Sequence, residues 1–342
     1  MNEVRYTFEG WPQPGATREV APGVHWLRMP LPFKLDHINL WLLADGDGWT
    51  MVDTGIAQDP VKDAWRRIFA SHFAGRPPKR IVVTHFHPDH MGLAGWLVDR
   101  FGVEMWTPLS EWAFGRVLAA AEDEAAQADR RRFYNAAGFD DDMLGLVDER
   151  VFSYRRRVSP IPPSFRRICD GDVVDIGGRG WRVIVGTGHS PEHACLFCEG
   201  AGILISGDQI LPRISPNISV WPQEPNADPL RLYLDSIPRF RSLPAETLVL
   251  PSHDQPFTGL HGRLDALAHH HDDRLAETLE VCTRPSTAVD VLRRLFRREL
   301  DPHQLFFAVG ESLAHLHFLA GAGLVRREIR PDGTHTFLKA AA

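Results

Sequence analysis

The stretch Thr84-His85-Phe86-His87-Pro88-Asp89-His90 is the most informative part of this sequence. It places three imidazoles and one carboxylate within six positions, directly after the apolar run Ile81-Val82-Val83. Imidazole and carboxylate groups are ligands of zinc and of borderline first-row metals. A surface histidine cluster has no reason to follow a β-branched run or to include an aspartate at this spacing. We therefore predict a metal site where a buried strand ends.

Three other apolar segments also end in a potential metal ligand. They are residues 184–189, 203–208 and 248–253, whose last residues are His189, Asp208 and His253. One such residue after a strand is more often a cap or a turn residue, but four strands with the same ending are hard to explain by chance. The pattern predicts that one edge of a sheet gathers all these groups.

Taken in order, these residues form a His-x-His-x-Asp-His motif followed by three later ligand positions, with an early Asp-x-Gly motif before them. The residues are His85, His87, Asp89 and His90, then His189, Asp208 and His253, with Asp53 as the early aspartate. Over about residues 20–258 this set resembles the metallo-β-lactamase-fold hydrolases. The motif set is highly specific for the fold and poorly specific for the substrate.

The resemblance implies a binuclear metal centre. The implied ligands are His85, His87 and His189 for the first ion and Asp89, His90 and His253 for the second, with Asp208 bridging. Asp53 is implied as a residue that supports these ligands. We expect two Zn²⁺ ions, with iron or manganese as alternatives. The diiron oxidoreductases of the superfamily usually carry Glu where His87 stands, which argues against that branch.

The order of segments predicts an α+β protein, an αββα sandwich of metallo-β-lactamase type over residues 1–258. Residues 104–165 form a helical insertion in it, with residues 113–133 helical. The insertion is read either as a set of helices with solvated charges or as a lid whose arginines meet an anionic substrate. Residues 211–225 are expected to border the active site. Residues 259–342 form a small helical, winged-helix-like domain, with three helices and a hairpin.

Composition limits the partners of the chain. Its 342 residues carry a net charge of −6, and the C-terminal region has eleven basic and eleven acidic residues. A nucleic-acid-binding module should be basic, so we do not expect nucleic acid as a partner and favour packing or a homodimer for this region. We expect no membrane span and no signal peptide. The four cysteines point to the cytoplasm, and Cys195 and Cys198 are interpreted as core residues. The histidines at 269–271, 315 and 317 are interpreted as surface or packing residues.

The expected reaction is the hydrolysis of a small thioester, lactone or related ester by a metal-bridging hydroxide. Asp89 and Asp208 are the candidate catalytic residues, Asp89 because it could orient the nucleophile and carry a proton. Three alternatives remain open. They are a metal-dependent endoribonuclease or phosphodiesterase, an iron-dependent persulfide dioxygenase-like enzyme, and a non-catalytic regulator that senses a ligand.

Overall fold

The secondary structure comes from a computed structural model, which describes residues 4–73, 75–120, 123–149 and 153–341. The strands are β1 (Arg5–Tyr6), β2 (Thr17–Ala21), β3 (Val24–Pro30), β4 (His37–Asp45), β5 (Gly48–Val52), β6 (Pro78–Val82), β7 (Glu104–Thr107), β8 (Arg166–Arg167), β9 (Val173–Ile176), β10 (Arg179–Gly186), β11 (His193–Cys198), β12 (Ile203–Gly207), β13 (Leu248–Pro251), β14 (Phe257–Thr258), β15 (Val325–Ile329) and β16 (His335–Lys339). The helices are α1 (Asp59–His72), α2 (Pro88–Met91), α3 (Ala94–Phe101), α4 (Leu109–Ala120), α5 (Glu124–Ala136), α6 (Asp141–Asp148), α7 (Pro229–Arg241), α8 (Leu260–Val281), α9 (Ala288–Leu295) and α10 (Pro302–Gly321).

The strands form two seven-stranded sheets and one hairpin. Sheet I has the order β2-β3-β4-β5-β6-β7-β8, and sheet II has the order β1-β14-β13-β12-β11-β10-β9. Sheet I is antiparallel from β2 to β5 and parallel from β5 to β8. Sheet II is antiparallel except between β12 and β13. β15 and β16 pair with each other.

Strand β4 explains how the two sheets become the inner layers of a sandwich. Its side chains alternate between faces. Leu40 and Leu42 lie in a cluster with the helices that cover sheet I, whereas Trp41 and Leu43 lie in the cluster between the sheets. A strand buried on both faces reads as a continuous apolar run, as this one does. The expected αββα sandwich is confirmed.

Helices cover the outer face of each sheet. In α1 the buried residues Val61, Trp65 and Ile68 share one stripe against sheet I, as their spacing predicts. On sheet II, α7 and α8 join a cluster that also contains residues of α9 and α10. The C-terminal helices therefore continue the packing of sheet II, and the division at residue 258 stays a prediction.

Two detailed predictions about the elements have clear outcomes. Cys195 lies in the cluster outside sheet II and Cys198 in the cluster between the sheets, which confirms them as core residues on opposite faces of β11. The helix predicted over residues 113–133 is divided between α4 and α5, and residues 121–122 lie outside the described residues. The three helices and the hairpin at the C-terminus are confirmed, whereas their winged-helix character stays a prediction.

The prediction that one sheet edge gathers all the ligands is wrong. The histidine motif follows β6 of sheet I, whereas the other three ligand positions follow β10, β12 and β13 of sheet II. Packed sheets lie about 10 Å apart, so side chains from both can meet at the end of the sandwich. No helix in the described part of the chain has the length and apolar composition needed to cross a bilayer.

Candidate metal centre

The seven predicted ligands converge at one end of the sandwich. Their potential ligand atoms form two groups, and within each group all of these atoms lie within 4.8 Å of one another. The first group contains His85, His87, His189 and Asp208, and the second contains Asp89, His90 and His253. The structure thus brings together all seven residues that the sequence singled out, whereas their role as ligands stays a prediction.

The first group is built around His85. Its Nε2 atom lies 2.9 Å from Nδ1 of His87 and 3.2 Å from Nε2 of His189. Nε2 of His189 lies 3.4 Å from Oδ2 of Asp208. Three imidazoles and one carboxylate oxygen therefore face a common point.

Asp208 also faces the second group, through its other oxygen. Oδ1 of Asp208 lies 3.5 Å from Nε2 of both His90 and His253. The Nε2 atom of His253 lies a further 3.5 Å from Oδ2 of Asp89. One carboxylate thus lies between two groups of ligands, which is the position that a bridging residue needs.

Local backbone geometry explains why these loops can present their side chains. His87 caps α2, whose first residue is Pro88, and this short helix turns His90 back towards His85. Gly188 has φ +93, and a Cβ there would lie 2.4 Å from the carbonyl oxygen of Pro229. Glycine is therefore required immediately before His189, because any side chain would collide with α7.

Hydrogen bonds from outside the cluster orient the rings. Nδ1 of His90 donates to Asp53 Oδ2 at 2.8 Å, Nδ1 of His189 to the Asn217 carbonyl at 2.8 Å, and Nδ1 of His253 to the His37 carbonyl at 2.8 Å. The Thr84 hydroxyl donates to Asp53 and accepts from His85 Nδ1 at 3.0 Å. Such contacts fix the tautomer of a metal-binding histidine.

These tautomers leave lone pairs directed at one another inside the cluster. Since His85 and His189 both donate through Nδ1, their Nε2 atoms approach to 3.2 Å as two acceptors. Nε2 of His90 and Oδ1 of Asp208 are buried without any hydrogen-bond partner in the described structure. Buried polar atoms without hydrogen-bond partners are costly, so this set of potential ligand atoms fits a bound cation.

The charges in the cluster are strongly coupled. Burial lowers the pKa of His85 and of His87 well below its ordinary value. Burial also opposes the charged form of His90, but Asp53, Asp208 and Asp89 outweigh it and raise the pKa of this histidine well above its usual range. For Asp208, burial raises the pKa, but His253 and His90 more than reverse this and hold it well below the usual range.

Backbone strain is concentrated beside the cluster. In the described chain the non-glycine residues with positive φ are Asp53, at +62, and Asp254, at +67. Asp53 touches His90, and Asp254 follows His253 directly. Strained residues of this kind persist where the surrounding structure holds them, and they occur preferentially at functional sites.

A cavity of about 690 Å³ opens onto the cluster. Five of the seven predicted ligands line it, together with apolar side chains from four parts of the chain. The apolar lining residues include Leu31, Phe33, Leu35, Ile56, Leu211, Ile214 and Phe307. Leu211 and Ile214 belong to the segment predicted to border the active site, and both line the cavity beside the cluster. Phe307 lies in α10, so the C-terminal region forms part of the wall.

Sequence reasoning missed two buried residues that hold the cluster together. His193 accepts a hydrogen bond from the main-chain N–H of Asp208 at 3.0 Å, and its ring stacks on His85 at 4.6 Å. Its position four residues after His189 was a signal that could have been used. Glu111 touches both ligand loops. It reads as an ordinary glutamate in a helix, so no signal in the sequence identifies it.

Comparison with known proteins agrees with this architecture. A family model described as "Metallo-beta-lactamase superfamily" matches residues 34–253, and one described as "Metallo-beta-lactamase-like, C-terminal domain" matches residues 275–340. The crystal structure of a beta-lactamase domain protein from Burkholderia ambifaria is 46% identical and covers 98% of both chains, with a TM-score of 0.91.

Three curated relatives are more distant. The probable metallo-hydrolase YqjP of Bacillus subtilis is 25% identical, over 86% of this chain and 91% of its own. The hydroxyacylglutathione hydrolase of Rhodobacter capsulatus is 27% identical, over 74% and 75%. The human acyl-coenzyme A thioesterase MBLAC2 is 24% identical, over 57% and 66%.

Proposed function

This chain belongs to the metallo-beta-lactamase superfamily and is a metallo-hydrolase, and on that basis we propose a specific reaction for it. The proposed reaction is hydrolysis of a thioester, lactone or related ester that carries an apolar acyl group. The proposal depends above all on one observation, the opening of an apolar cavity onto seven converging imidazoles and carboxylates. Two distant relatives support it, one named as an acyl-coenzyme A thioesterase and the other as a hydroxyacylglutathione hydrolase.

The chain's own residues would hold two divalent ions, for which we propose zinc. His85, His87 and His189 would bind the first ion, and Asp89, His90 and His253 the second, with Asp208 between them. Bound zinc supplies Lewis acidity and lowers the pKa of a water from about 15.7 to about 7.

Asp89 has the most suitable position for moving a proton. Its side chain is 19% exposed and lines the cavity, whereas the side chain of His90 is fully buried. A carboxylate that reaches both the cluster and the cavity can take a proton from the nucleophile and deliver it to the leaving group. Asp208, enclosed between histidines, is better placed to hold charge than to exchange it.

The cavity favours a small ester over a polynucleotide. Its volume lies in the range of small-molecule sites. Apart from histidines, its basic lining residues are limited to Lys34 and Arg157, and the Lys34 ammonium lies 3.8 Å from the Asp301 carboxylate. Phosphate backbones are bound by clusters of positive charge, so this lining gives the phosphodiesterase alternative less support.

A substrate panel tests the reaction. The zinc-loaded protein is assayed with acyl thioesters of increasing chain length, a lactone, a β-lactam and a phosphodiester. We expect hydrolysis of a thioester or lactone that is abolished by chelation, with kcat/KM rising with acyl length. Cleavage of the phosphodiester alone would contradict the proposal. Oxygen consumption with one equivalent of iron would instead favour the dioxygenase.

Replacement of Phe307 tests the acyl site. We expect Phe307→Ala to raise KM for the longer acyl esters about tenfold or more and to change kcat less, since it removes apolar contact with the acyl chain. The matched control is Phe306→Ala, because Phe306 packs on Tyr134, at 5.1 Å between ring centres, and does not line the cavity. Equal effects of both substitutions would argue against an acyl site at Phe307.

A further inference from the structure

The helical insertion contributes a buried carboxylate that contacts both ligand loops. Glu111, in the first turn of α4, is fully buried. Its Oε2 accepts from the main-chain N–H of Phe86 at 2.9 Å. Its Oε1 accepts from the Ser190 hydroxyl at 2.9 Å and from the main-chain N–H of Glu192 at 2.5 Å. Phe86 lies between two of the proposed ligands, and Ser190 directly follows another.

The insertion also holds the opposite side of Phe86. The hydroxyl of Tyr154, a buried residue near the end of the insertion, donates to the main-chain carbonyl of Phe86 at 2.5 Å. The N–H and the C=O of one residue are thus both held by side chains of the insertion. Because His85 and His87 flank this residue, these two hydrogen bonds limit how either histidine can move.

The two ligand loops are tied together twice. On one side, the main-chain N–H of Ala194 donates to the carbonyl of Thr84 at 2.9 Å. On the other side, Glu111 joins Phe86 to Ser190 and Glu192. These ties hold the loops that bring Nε2 of His85 to 3.2 Å from Nε2 of His189. Metal binding tolerates errors of only about 0.2 Å in ligand distances, so fixing two loops against each other favours binding.

Burial of Glu111 also needs an explanation beyond helix formation. Burial raises the pKa of this carboxyl to about 7, while the hydrogen bonds from Glu192, Phe86 and Ser190 oppose that change. A glutamate in the first turn of a helix interacts favourably with the helix dipole even when it is exposed to water. The helix dipole therefore does not explain why Glu111 is buried. Glu111 does not line the cavity, so it does not act on the substrate directly.

We propose that the insertion is a brace for the metal centre, in which Glu111 and Tyr154 are positioning residues that fix the loops carrying His85, His87 and His189. The insertion thereby sets the affinity for the metal, rather than acting only as a lid. This inference rests on the proposed metal site.

The test compares Glu111→Gln with Glu124→Gln, the same change at an exposed glutamate of the insertion. Glutamine keeps the volume of Glu111, but its amide N–H₂ must face one of the donors. We expect Glu111→Gln to weaken zinc binding about 10- to 100-fold in a chelator competition. We also expect it to alter the visible spectrum of the cobalt-substituted protein. Glu124→Gln should change neither.

Tyr154→Phe provides a second, milder variant that keeps the ring and removes only the hydroxyl. We expect it to weaken zinc binding by up to about tenfold, with Tyr134→Phe as control. If Glu111→Gln does not fold, Tyr154→Phe decides the question. Unchanged zinc affinity and an unchanged cobalt spectrum in a folded variant would overturn the brace alone. A parent protein that binds neither zinc nor cobalt would overturn the proposed function and the brace with it.

Discussion

Asp208 is the residue on which both halves of the candidate site depend. Its two oxygens face different histidines, and one of them, Oδ1, is buried without a hydrogen-bond partner in the described structure. A carboxylate between two sets of lone pairs lowers the electrostatic cost of holding two dications. Its loss should therefore weaken metal binding by both groups of predicted ligands.

We predict that Asp208→Asn lowers the amount of bound metal and reduces zinc affinity by more than about 100-fold. Loss of a residue that only hydrogen-bonds to a ligand costs up to about 100-fold, and loss of a ligand itself should cost more. Asparagine keeps the volume and removes the charge. Metal content of the purified variant and chelator competition measure this, with Asp235→Asn as a control on an exposed face of α7. Full turnover with the metal absent would contradict the prediction.

At the scale of elements, the insertion packs so closely against α3 that there is no room for a side chain at Gly95. A Cβ on Gly95 would lie 1.8 Å from the main-chain carbonyl of Pro160. The Ser159 N–H donates to the carbonyl of Gly92 at 2.6 Å, which holds this segment against α3. The insertion is thus packed against the sandwich at both of its ends, near Glu111 and near Pro160.

We predict that Gly95→Ala destabilises the protein by about 1–3 kcal/mol, because overpacking against a main-chain atom outweighs the gain in helix propensity. Gly145 in α6 is the matched control, since a Cβ there meets nothing within 4 Å. Gly145→Ala should stabilise the protein by about 0.5–1 kcal/mol. Urea unfolding of both variants measures the difference, and the same sign for both would refute the steric explanation.

At the scale of the whole molecule, the C-terminal region completes the cavity. His303 of α10 stacks on Phe33 at 4.5 Å, and Lys34 lies 3.8 Å from Asp301 in an exposed ion pair. α10 also packs on the segment that carries Asn217, whose carbonyl orients His189. The charge balance of this region suggested packing, and these contacts agree with that. The homodimer and the cytoplasmic location stay predictions.

The same region contains a buried histidine pair, His271 and His315, that should make stability depend on pH. Nδ1 of His271 donates to Nε2 of His315 at 3.4 Å, and Nδ1 of His315 donates to the Glu311 carbonyl at 2.8 Å. Burial lowers the pKa of His271 to about 3 and that of His315 to about 4. In the unfolded chain both histidines have a pKa near about 6.5. Between about pH 4 and pH 6.5 the unfolded chain therefore binds more protons than the folded chain.

We predict that the free energy of unfolding falls as pH decreases from about 6.5 towards 4, by up to about 1.4 kcal/mol per pH unit for each histidine. The pair adds no pH dependence above about pH 7.5. Urea unfolding of the metal-free protein at pH 7.5 and 5.0 measures this. In His271→Leu the decrease should be smaller, and an equal decrease would show that other groups are responsible.

The sequence alone determined which seven residues meet, and their side-chain types predict a metal site. Metal-binding groups need particular side-chain types, and the strands that carry them need apolar runs, so both appear as short local patterns. His85, His87, Asp89 and His90 lie within six positions, and the other three predicted ligands each follow a strand. The layers of the sandwich follow from continuous apolar runs such as that of β4, which is buried on both faces.

Only the tertiary structure decided how these groups are held. Two sheets rather than one deliver the ligands, because sheet membership depends on long-range pairing that no local pattern contains. Glu111, Tyr154 and His193 acquire their roles through contacts with residues distant in sequence or through the turn of a loop. Glu111 and Tyr154 are common residue types at positions without a motif, so their importance arises from packing alone.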